Sequence, residues 1–156
     1  MSHKGIRLLI ESTAKSLADN ITFDYGRRSD TNMERNIQYP LIACDPITAS
    51  ANFADNNVSN YSKTWQVAMV FLDEDKTSSD QDEYTLILDR MNQLADDFII
   101  KLNFNAQGDC VESGDIIITG INQQPAIKVM KDVATGYLLT FSIREIDDFN
   151  YCEVVC

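Results

Sequence analysis

The segment from Ser79 to Leu102 constrains the fold most. Tyr84, Ile87, Leu88, Met91, Leu94, Ala95, Phe98, Ile99 and Leu102 recur at spacings of three and four. Only a helix gathers such residues on one face, here over about five turns. Ser78 or Ser79 can cap it, and Asp80, Asp82 and Glu83 complement the positive end of its dipole. A face of that length must be buried against something broad.

The remaining periodicity supplies it. Lys63 to Asp73 alternates, with Trp65, Val67, Met69 and Phe71 on one side and Gln66, Ala68, Val70 and Leu72 on the other. Both sides turn apolar towards its end, which predicts a central strand covered on both faces. Shorter strands are expected at 21–25, 39–44, 116–119, around 126–130 and at 137–144. A first helix is expected over 5–18, with Ile6, Leu9, Ile10, Ala14 and Leu17 on its apolar stripe. Residues 26–36 are polar and aperiodic, and 46–62 are rich in Asn, Ala and Ser, so both predict loops.

The expected order is therefore α-β-β-β-α-β-β-β. That pattern predicts an α+β fold, a mostly antiparallel sheet of five or six strands with two helices packed on it. Length places residues 1–146 in a single domain, followed by an acidic tail at 147–156 that could pack back or remain mobile.

Charge narrows the function. The chain holds 13 Lys and Arg against 24 Asp and Glu, a net charge of −11. Most of the excess lies in the second half. A nucleic-acid binder needs cations to neutralise phosphates, and an anionic membrane would repel this surface. No apolar stretch is long enough for a membrane span, and the start of the chain lacks a signal-peptide core. These features point to the cytosol, or to assembly there into something larger.

Catalytic and metal chemistry finds little support. The single histidine is His3, expected in a flexible terminus, which disfavours Ser–His and Cys–His mechanisms. No nucleotide-binding, nucleophile-elbow or zinc-protease motif occurs. Cys44, Cys110, Cys152 and Cys156 contain no Cys-x-x-Cys, so free thiols are expected rather than a zinc site. A calcium loop started at Asp73 fails where Ser78 and Tyr84 stand in place of Gly and Glu. We expect no enzyme activity, catalytic residues, metal or cofactor, although a carboxylate-based enzyme remains a third alternative.

Candidate contact residues lie in the loops. Arg27, Arg28 and Arg35 share one polar segment of an acidic protein. They are either solvated or grip carboxylates of a neighbouring subunit. Phe53 and Tyr61 lie in the Asn-rich excursion, where they either anchor a partner or tuck back. Trp65 and the Met91/Phe98 stripe read as core.

Four segments together carry a family resemblance: the helix from Gly5 to Ala18, the strand Trp65–Leu72 running into an acidic turn, the helix containing Met91–Leu102, and the closing strand Tyr137–Arg144. In that order they resemble the tail terminator, or tail-completion, proteins of tailed bacteriophages and the related neck proteins. The resemblance covers most of the chain at the level of pattern. It implies a structural virion protein, a homo-oligomeric ring (a hexamer or dodecamer) around the DNA channel. Its partners would be neighbouring portal, neck or tail proteins, and it would be assembled in the bacterial cytoplasm. An acidic lumen would let DNA slide past. The tail 147–156 has no counterpart in the family pattern. The alternative is a small acidic module, of the inhibitor or immunity type, that sequesters a basic protein.

Overall fold

The computed structural model describes residues 2–26, 37–53, 60–75, 81–107, 115–129 and 134–148. Among these residues, two helices and a six-stranded, mostly antiparallel sheet form an α+β fold, as the hydrophobic periodicity predicts. In chain order the elements are α1 (His3–Lys15), β1 (Thr22–Tyr25), β2 (Leu41–Cys44), β3 (Thr48–Phe53), β4 (Asn60–Glu74), α2 (Gln81–Gln107), β5 (Asp115–Val129) and β6 (Ala134–Asp148). The order is thus α-β-β-β-β-α-β-β.

β4 organises the sheet. It pairs with β6 along its whole length, from Asn60 opposite Asp148 to Glu74 opposite Ala134. Its other edge is shared by β2 and β3, and β1 joins β2 as the one parallel pair among the described strands. Cys44 faces Met69 and Thr48 faces Gln66, so residues 45–47 stand against only 67 and 68. β2 and β3 are therefore one strand broken by a bulge at Pro46, a residue with no N–H to give a ladder. The Asp45 N–H still donates to the Ala68 carbonyl at 2.9 Å.

Both helices cover one face. Trp65, Val67, Met69 and Phe71 of β4, with Leu139, Phe141 and Ile143 of β6, meet Ile6, Ile10 and Ala14 of α1 and Ile87, Met91, Ala95, Phe98 and Leu102 of α2. Phe98 sits between Phe71 and Phe141, its ring centroid 5.8 and 6.1 Å from theirs. On the opposite face a smaller cluster of Leu41, Ala43, Val70, Leu72 and Ala134 lies under Ile37 and Tyr39. The end of β4 is thus buried on both sides, as its double apolar alternation requires.

Three expectations need correction. The excursion 46–62 contains β3 and the start of β4. Residues 48–52 are exposed on both sides of the strand, so no apolar alternation marks them, and the backbone ladder to β4 holds them. The two strands expected at 116–119 and 126–130 are one strand, β5. Gly120 and Ile121 stand opposite Phe141 alone, with Gly120 at φ 64°, a bulge that reads as a turn in the sequence. Finally, α1 begins at His3 and ends at Lys15 rather than running 5–18. The Ser2 hydroxyl accepts the Gly5 N–H at 3.1 Å, and Lys101 of α2 takes the Ser16 carbonyl at 2.7 Å. Leu17 still reaches the core, from the turn beyond the helix.

Asp147 and Asp148, the first residues of the expected tail, extend β6, and 149–156 lie outside the described residues. The expected caps of α2, Ser78 and Ser79, also lie outside them; Asp82 and Glu83 occupy its first turn.

Candidate functional site

A cluster of aromatic, cationic and acidic side chains sits where the start of α1 crosses the sheet. Helix geometry places His3 and Arg7, one turn apart, over the end of β1 and the middle of β4. The Tyr25 hydroxyl accepts the Ile47 N–H at 3.1 Å and lies 3.0 Å from His3 Nε2. The Arg7 guanidinium lies 4.6 Å above the Tyr25 ring. The His3 ring stands edge-on to Trp65 at 5.9 Å, and Lys63 Nζ lies 4.1 Å from the Trp65 centroid. Below them the Trp65 indole N–H donates to Glu145 Oε2 at 3.1 Å. Glu145 is buried and stands opposite Lys63 in the β4–β6 ladder.

This corrects the reading of His3 as part of a flexible terminus: it belongs to the first turn of α1 and is held between two aromatic rings. Trp65 is core, as its strand position predicts. What the cluster does chemically is anchor α1. The cations rest on ring faces, and the one buried acid is met by the indole donor.

The face of the sheet away from the helices has a different character. Beyond the small apolar cluster it presents Ser50, Thr64, Gln66, Thr119 and Ser142, with Arg144 and the exposed Ile117 on the same side. Ser142 Oγ donates to Gln66 Oε1 at 2.9 Å across the ladder. No described helix covers this surface. Antiparallel sheets can leave one face to water in this way.

Charge is distributed unevenly around these surfaces. On α1, Lys15 bonds Glu11 one turn away and, with Arg7, holds its carboxyl below the usual range. At the far end of β4, Asp73 pairs with Arg90 at 2.6 Å. Burial pushes the nearby Tyr39 phenol up, and the Glu74 and Asp73 carboxylates add to the shift. Burial also pushes the Cys44 thiol up to about 12, so it stays protonated and unreactive at neutral pH.

Of the residues singled out in the sequence, Arg27, Arg28 and Arg35 lie outside the described residues. Phe53 and Tyr61 are brought together as cross-strand partners at the far end of the β3–β4 hairpin. Sequence reasoning missed the outward apolar residues of the helices: Leu8 on α1 and Leu86, Ile100 and Phe104 on α2. Their signal was present, because Leu86 and Ile100 lie off the buried stripe and Phe104 lies beyond its expected end.

No protein-family model matches the chain, and neither does any curated protein.

Proposed function

We propose that the chain is a structural subunit of a bacteriophage neck or tail, assembling with copies of itself into a tail-terminator-like ring around the DNA passage. The observation that carries this reading is the one-sided build of the sheet. Both described helices pack on one face, and the other, beyond its small apolar cluster, offers mainly hydroxyl and amide groups beside Ile117 and Arg144. Such a surface gives a polyanion few cations to grip, and a net charge of −11 adds long-range repulsion. The order of helices and strands supports the same reading, since an α+β subunit is what the family pattern implies. Function would then lie in geometry: the ring joins the head-side connector to the tail.

Native mass spectrometry combined with negative-stain imaging tests the proposal. The expected result is a discrete hexamer or dodecamer with a central opening. A species that forms no ring, alone or with portal, neck and tail proteins, overturns it. Tight one-to-one capture of a basic protein would instead identify the acidic binding module.

A further inference from the structure

The outward faces of the two helices carry opposite charges beside exposed apolar side chains. Leu86 is 67% exposed, Ile100 68% and Phe104 76%, and all three fall on the side of α2 opposite its buried stripe. Asp89 and Asp97 lie among them on the same outward side and are also exposed; the neighbouring Arg90 is exposed too but is paired with Asp73, and the stripe keeps a net negative charge. On α1 the outward side carries Leu8, 51% exposed, between Lys4 and Lys15; Lys15 is paired with Glu11, and the stripe keeps a net positive charge. Four of the six large apolar side chains exposed among the described residues therefore belong to this one helical layer.

The helices lie side by side in that layer, tied by Lys101 to the Ser16 carbonyl and by Asn105 to Thr13 at 3.0 Å. A uniformly basic partner would be repelled by α1, and a uniformly acidic one by α2. The arrangement fits a partner that presents the same two stripes in the reverse order. A copy related by a two-fold axis supplies that, because it sets α1 against α2 and α2 against α1.

We infer that the helical layer is a self-association surface, on which the Lys4–Leu8–Lys15 stripe of one copy packs against the Leu86–Asp89–Asp97–Ile100–Phe104 stripe of a second. This contact is separate from the ring reading. It closes on two copies and uses the face opposite the open sheet, so a ring that also made it would meet a second ring back to back.

Sedimentation velocity on the full chain tests the contact, with circular dichroism verifying that each variant is folded. The wild type is expected to form a dimer, or an even-numbered assembly, that weakens as salt rises. Ile100→Ser with Phe104→Ser should weaken association at least about tenfold. Lys4→Glu with Lys15→Glu should also break it, as should Asp89→Lys with Asp97→Lys. Mixing the two charge-reversed proteins should restore a heterodimer, since each then meets its opposite at both halves of the contact. The inference is overturned by a wild type that stays monomeric at all concentrations. It is equally overturned by association that none of these variants moves, or by a mixture that does not pair. A dimer without rings would support this contact while counting against the ring.

Discussion

The Trp65 indole N–H reaches the Glu145 carboxylate across the β4–β6 ladder at 3.1 Å, with Trp65 2% and Glu145 4% exposed. A buried carboxylate that loses a donor keeps its desolvation cost. Trp65→Phe should therefore destabilise the fold by about 2–4 kcal/mol, combining the lost bond with lost packing. Glu145→Gln retains an acceptor and should cost only about 1 kcal/mol. Urea unfolding followed by circular dichroism measures both. Equal costs would show that the bond contributes little.

Gly136 is required for a reason visible only in three dimensions. A Cβ there would lie 1.7 Å from the Phe71 carbonyl oxygen, a backbone atom that cannot step aside. Gly136→Ala should cost at least about 3 kcal/mol. Gly120→Ala has open space, with Ser142 Oγ at 3.7 Å as its nearest atom, but must hold φ at 64°. Its cost should be about 1–2 kcal/mol. Comparing the two urea midpoints separates collision from backbone strain, and the reverse order would contradict the close β4–β6 approach.

Cys44 should make stability depend on alkaline pH. Its folded pKa is raised from the ordinary 9.0 to about 12 by burial first and by the Asp45 charge second, with Arg7 opposing. Folding therefore favours the protonated thiol. That contribution is complete below pH 9 and is lost as pH rises towards 12. Cys44→Ala should flatten the fall in unfolding free energy over this range. It should not abolish it, because Tyr39 is shifted in the same direction. In the wild type, alkylation of Cys44 should wait on unfolding; rapid labelling of the native protein would refute the burial.

The sequence exposed those parts of the fold where burial imposes a period. Ile87, Met91, Ala95, Phe98 and Leu102 name the buried side of α2, and Trp65, Val67, Met69 and Phe71 name the covered face of β4. Where burial imposes none, the sequence was silent. β3 has exposed residues on both sides and is held by backbone bonds, so Thr48–Phe53 reads as loop. Gly120 and Pro125 interrupt the pattern of β5 without interrupting the strand. The cluster at the start of α1 was invisible for another reason. His3, Tyr25, Trp65 and Glu145 are far apart along the chain, and only pairing of β1, β4 and β6 with the rest of the sheet gathers them.

The same cluster makes a testable claim about how α1 is held. The Tyr25 hydroxyl is the acceptor for the partly buried Ile47 N–H and the neighbour of His3 Nε2. Tyr25→Phe orphans the first and releases the second, at a cost of about 1–2 kcal/mol. Ser2→Ala removes the cap on Gly5 and should cost about 1 kcal/mol. Both changes loosen the first turn of α1, so the double variant should lose less than the sum of the singles. For a chain of this size each kcal/mol lowers the melting temperature by about 2–4 °C, well within calorimetric resolution. Leu8→Ser, on the exposed side of the same helix, should leave the melting temperature of the monomer within about 1 °C of the wild type. Full additivity of the two anchoring variants would mean that the Ser2 cap and the Tyr25 contact hold the helix independently, and that His3 does not link them.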